Sequence, residues 1–219
     1  MKIARHLQSI LLAAAALCLA GCEAPKPYDY TNYRAHPPRS ILVLPPLNET
    51  TSVDAPYSYL STVTAPVAEL GYYVFPVQVV DHYMKENGLP GPAEMHEVPL
   101  SKFVEILGAD AVMYPTLTAY GTKYQVVNSA SLVSVKARLV DCRTGILLWE
   151  GAATVQANSG GSGNIIADAI AALITQAVNS STDAAHDLCS QANFNLFYQK
   201  NYGLLYGPYS PLYGKDGQQ

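Results

Sequence analysis

The chain has 219 residues, 49% apolar and 14% charged, with a formal net charge of −4. Such a composition fits a globular domain with a sizeable core, and it excludes a disordered or fibrous chain. The acidic balance, without any Lys/Arg cluster, excludes the basic footprint that nucleic-acid binding needs.

In chain order, Lys2 and Arg5 precede an apolar run, Ile10 to Ala20. Its eleven residues fall within the ~7–15 of a secretory signal and short of the ~20 that cross a bilayer. Leu19-Ala-Gly-Cys22 then resembles the bacterial lipobox. That resemblance implies cleavage before Cys22, diacylation of its thiol and acylation of the new amino terminus. Several acyl chains anchor stably where one does not. Glu23 rather than Asp follows the cysteine, which by the sorting rule of enteric-type bacteria implies the periplasmic face of the outer membrane. No later run reaches the ~18 apolar residues of a membrane span.

Of four cysteines, Cys18 leaves with the signal and Cys22 is acylated. Cys142 and Cys189 remain as the candidates for a disulfide in an oxidising compartment, with two separate buried thiols as the alternative. The histidines, His36, His82, His96 and His186, lack ligand spacing, so neither a metal nor a cofactor is expected.

The prolines at 25, 27, 37 and 38 predict an extended tether over residues 22–39. A single α/β domain follows over 40–190, then a Tyr/Gly/Pro-rich tail over 191–219. Ser40 to Leu44 is a continuous apolar run, hence a buried strand. Leu47 to Pro56 reads as a polar loop and Tyr57 to Leu70 as a helix ended by Gly71. Tyr72 to Phe75 is a second strand, Val77 to Asn87 a short helix, and Leu89 to Pro99 a solvated loop. Leu100, Phe103, Val104 and Leu107 space a further helix, stopped by Gly108. Ala109 to Tyr120 is a strand and Gly121 to Lys123 a turn. Tyr124 to Val140 and Ile146 to Gln156 alternate as a hairpin. Ile165 to about Ala185 carries the clearest apolar helical face. The order predicts a mixed sheet with helices packed on it: crossover helices first, antiparallel hairpins after.

Two Gly-containing motifs read as local structure. Asp141-x-x-Thr144-Gly145 is an Asp turn with Gly supplying positive φ. The run from Asn158 to Gly163 lacks the Lys-Ser/Thr of a phosphate-binding loop and reads as a connection. Ser52 or Ser58 with His82 or His96 and Asp81 or Glu94 makes a hydrolytic triple only on paper, since no Gly-x-Ser-x-Gly elbow accompanies it. An enzyme is not expected.

Sixteen tyrosines stand against four phenylalanines and one tryptophan, and many lie at the two ends of the mature chain. Tyr198, Tyr202, Tyr206, Tyr209 and Tyr213 are the candidate partner-binding residues, because tyrosine suits half-wet interfaces.

A set of stretches carries a family resemblance: Ile41-Leu-Val-Leu-Pro-Pro-Leu-Asn-Glu-Thr50, Glu69-Leu-Gly-Tyr-Tyr-Val-Phe-Pro76, Gly108-Ala-Asp-Ala-Val112, Leu139-Val-Asp141, and Leu148-Trp-Glu-Gly151. The chain resembles the GNA1162-like bacterial lipoproteins, a family of unknown function. The pattern is also similar to the TolB amino-terminal domain, the curli secretion lipoprotein CsgG and the LpoB-type activators of peptidoglycan synthases. The resemblance implies a TolB-amino-terminal-like fold and a non-enzymatic assembly role, with a CsgG-like lipoprotein or a second copy as partner. An LpoB-like regulator and a small-ligand-binding lipoprotein are the alternatives. A seventeen-residue tether would reach ~50–60 Å, short for crossing a cell wall, which favours work near the membrane.

Overall fold

A computed structural model describes residues 27–124, 129–158 and 184–216. The signal, Cys22, the Gly/Ser connection and nearly all of the helix expected from Ile165 lie outside them.

The centre of the fold is β1 (Ser40–Val43), buried along its whole length. Ile41 and Val43 face one core, Leu42 and Leu44 the other. A strand covered on both faces cannot alternate polar with apolar, hence the unbroken run. β1 pairs in parallel with β3 (Tyr73–Val74) on one side and with β4 (Ala111–Tyr124) on the other. β2 (Leu47–Asn48) extends the parallel pairing along β4. β4, β5 (Ser129–Asp141) and β6 (Leu147–Asn158) are antiparallel, so the sheet runs β3-β1-β4-β5-β6. This is the mixed sheet expected from the element order.

The larger core lies under α2 (Ala55–Glu69) and α6 (Ala184–Phe197). α2 presents Ala55, Tyr59, Val63 and Val67 at four-residue spacing. α6 adds Leu188, Cys189, Ala192, Leu196 and Phe197. A bulge at Leu139/Val140 makes Leu148 and Trp149 both point into this core. The smaller core lies under α3 (Val77–Glu86), α4 (Pro92–His96) and α5, which begins at Leu100–Lys102 and widens to a π-turn over Phe103–Leu107. Gly108 closes that turn at φ +67°, as its sequence position predicts.

Several expectations need correction. The tether is not extended beyond Tyr28: Thr31–Ala35 forms a short helix, α1, and Tyr30 and Tyr33 join the larger core. The prolines flank this piece rather than occupy it, so burial of two rings decides its shape. The turn at Gly121 to Lys123 is instead part of β4, and residues 125–128 are outside the description. The loop Leu89 to Pro99 contains α4, whose Met95 is fully buried. Cys142 and Cys189 are not joined. Both are free and buried, in the smaller and the larger core respectively, on opposite faces of the sheet. The alternative of two separate thiols is what the fold contains.

Candidate interaction face

The tail after α6 turns back and is held by aromatic donors from three other elements. The Trp149 indole donates to the Tyr202 carbonyl at 2.6 Å, the Tyr30 hydroxyl to Gly203 at 2.6 Å, and the Tyr72 hydroxyl to Leu205 at 2.6 Å. The Tyr33 hydroxyl lies 2.5 Å from that of Tyr72. A carbonyl only accepts, so the single Tyr72 proton is committed to Leu205, and Tyr33 is the donor to Tyr72. Burial, the largest influence, holds the Tyr30, Tyr33 and Tyr72 hydroxyls protonated far above neutral pH. The backbone adds Tyr28 N–H to Asn201, Gly207 N–H to Leu70 and Tyr209 N–H to Gly71. Gly71, at φ +94°, and Gly207 lie so close that a methyl group on either would collide with backbone of the other segment.

The tyrosine excess is therefore largely internal carpentry. The tail lies along its own domain. Of the five candidate residues, Tyr198, Tyr202 and Tyr206 are half-buried, whereas Tyr209 and Tyr213 are exposed at 67% and 49%. Tyr198 stacks on exposed Phe194, ring centroids 4.8 Å apart. Beside this pair runs β6, which pairs only with β5 among the described residues. The Glu150 N–H on its outer edge donates to the Tyr28 hydroxyl at 3.1 Å. By strand alternation Ala152 and Thr154 turn their backbone groups to the same side.

Two depressions adjoin where the chain arrives. One, of ≈260 Å³, is lined by Pro27, Tyr28, Arg34 and Lys200. The other, of ≈340 Å³, shares Arg34 and Asp216 and reaches Tyr213.

The triad residues do not converge. The Ser58 hydroxyl accepts from Tyr120 at 3.0 Å above the larger core. His96 is not in a solvated loop: its Nε2 meets the Pro45 carbonyl at 2.8 Å, its ring edge meets Tyr114, and burial depresses its pKa. Asp81 pairs with Lys85 at 2.7 Å. Burial pushes both the Cys142 and the Cys189 thiol to about 12, so neither is a nucleophile at neutral pH.

The Asp141 turn forms as read, its carboxylate accepting from Arg143 N–H, Thr144 N–H and the Thr144 hydroxyl. Asp110 does more than start a strand. It accepts from Arg39 N–H and Ser40 N–H and pairs with Arg143 at 2.8 Å. Burial alone would raise its pKa; Arg143 and the Arg39 N–H outweigh that and hold it below the usual carboxylate value. Nothing local in Gly108-Ala-Asp110 signals this, because the partners are seventy and thirty-three residues away.

The family described as "Putative lipoprotein GNA1162-like" matches residues 28–209. A lipoprotein of Neisseria meningitidis serogroup B is 43% identical over 204 residues, covering 91% of this chain and 94% of that one. The crystal structure of lipoprotein GNA1162 from Neisseria meningitidis is 44% identical and superposes at a TM-score of 0.55, covering 65% of this chain and all of the other. A PelC dodecamer subunit from Paraburkholderia phytofirmans overlaps 62% of this chain and 86% of its own at 18% identity and a TM-score of 0.41, too loose a likeness to say anything of function.

Proposed function

We propose that this chain, which belongs to the GNA1162-like lipoprotein family, is a lipid-anchored envelope protein with a non-enzymatic assembly role, and that its partner is a CsgG-like lipoprotein of a secretion or transport system. Cys22 carries the acyl chains, and the protein sits on the periplasmic face of the outer membrane.

One observation carries the reading: the packed domain begins at Tyr28, six positions after Cys22. Five positions, 23–27, separate Cys22 from that packing, about a third of the seventeen expected. A module built to reach through the cell wall toward a synthase needs the opposite, so the LpoB-like alternative loses ground. A protein held this close to its membrane works on neighbours in that membrane. The exposed Phe194–Tyr198 stack, Tyr209 and the outer edge of β6 supply aromatic and backbone groups of the kind that protein interfaces use.

The test is photo-crosslinking in cells from residue 209 and from residue 194, with captured species identified by mass spectrometry. Capture of a CsgG-like lipoprotein from both positions is the expected result. Capture of a penicillin-binding protein, or of nothing specific, overturns the assignment.

A further inference from the structure

Four residues, Glu23 to Lys26, separate Cys22 from Pro27. Five Cα steps span at most ~18 Å. A domain of about 190 residues has a radius of gyration of ~16 Å and is roughly 42 Å across. The reach is thus under half the width of the domain. Once the acyl chains are in the bilayer, the side bearing Pro27 is the side held against it. The surface over the smaller core, with Lys102 and Ile106, lies across the sheet from the core that Tyr28 packs against.

The chemistry of the near side suits that position. Leu212 and Tyr213 are exposed at 41% and 49%, and Tyr213 borders the same depression as Arg34. Arg34, Lys200 and Lys215 are exposed, and none is in an ion pair among the described residues. Of the acidic groups nearby, Asp29 is exposed and Asp216 half-buried, and both are hydrogen-bonded within the chain. Asp29 accepts from the Thr31 N–H and hydroxyl, and Asp216 from the Tyr206 N–H. The Arg34 guanidinium lies over the Tyr30 ring, 5.8 Å from its centroid, and an aromatic and an aliphatic side chain edged by cations outside ion pairs is what headgroup-level surfaces present to phospholipid.

We infer that this side of the domain lies directly on the bilayer, with Leu212 and Tyr213 at headgroup depth and Arg34, Lys200 and Lys215 on lipid phosphates. The inference rests on acylation of Cys22. It adds to the assembly role a fixed orientation, in which Phe194 and β6 stand at the flank and the smaller core points away from the membrane.

The full mature lipoprotein would be reconstituted in vesicles of phosphatidylethanolamine and phosphatidylglycerol, its acylation first verified by intact mass. Single variants Lys200→Cys, Tyr213→Cys and Lys102→Cys would carry a fluorophore, quenched by nitroxides on the lipid headgroups. The native Cys142 and Cys189 are buried and do not compete. With positions 200 and 213 at headgroup depth and 102 away from the bilayer, quenching at 200 and 213 should exceed that at 102 by about threefold or more. Charge reversal by Arg34→Glu with Lys200→Glu should lower the quenching at 213 without releasing the protein from the vesicle. Acylated protein with equal quenching at all three positions overturns the orientation alone. Protein without acyl chains overturns the anchor and the orientation together.

Discussion

Removing the Tyr72 hydroxyl should cost more than removing that of Tyr33, although the two groups touch. Tyr72→Phe leaves the Leu205 carbonyl without its donor and the buried Tyr33 hydroxyl without its acceptor. Each stranded buried group costs ~1–3 kcal/mol, so the variant, with two of them, should lose about 2–6 kcal/mol. Tyr33→Phe takes away only a donor; Tyr72 still serves Leu205, and the loss should be about 1 kcal/mol. The double variant strands the Leu205 carbonyl alone, so it should be no less stable than Tyr72→Phe. That non-additivity is the signature of a directed chain of protons rather than two independent contacts. Urea unfolding of the four proteins, with equal m-values, measures it. If the two single losses are equal and simply add, the direction assigned to the Tyr33–Tyr72–Leu205 chain is wrong.

Gly207→Ala, whose new methyl would meet the Gly71 backbone, should free the tail and raise its proteolysis at least several-fold, while the sheet hydrogens stay protected in exchange. Cys142 and Cys189, with thiols near 12 and both buried, should resist iodoacetamide in the native protein and react within minutes in urea; a native mass two hydrogen atoms short would refute the free-thiol assignment. Because the folded Asp110 carboxyl is held below its ordinary value of 3.8, its stabilising effect is complete above about pH 4 and is lost as pH falls through the folded value. Asp110→Asn should therefore flatten the acid limb of the stability curve, and unchanged acid unfolding would remove Asp110 from the account.

Alternation and turn chemistry made much of the fold legible. The buried run at β1, the Gly108 stop and the Asp141 turn each follow from residues within a few positions of one another. What escaped was long-range. Tyr30 and Tyr33 look like tether residues because nothing near them shows that Trp149, Tyr72 and the tail will close over them. The pairing of Asp110 with Arg143 is equally silent in either segment. The candidate face suffers most from this. A count of tyrosines cannot distinguish rings that bind a partner from rings that bind their own chain terminus, and only exposure separates Tyr209 and Tyr213 from the rest.

The union of the two ends also bears on export. Tyr28 meets Asn201, and Tyr30 reaches Gly203 across 173 positions. A chain threaded through a translocon amino terminus first holds the leading half of that union long before the trailing half arrives. The larger core cannot close until Leu204 and Leu205 have crossed, since both belong to it. Contacts of such separation form late and slowly. The polypeptide thereby stays pliable until its tail has crossed and locks only then.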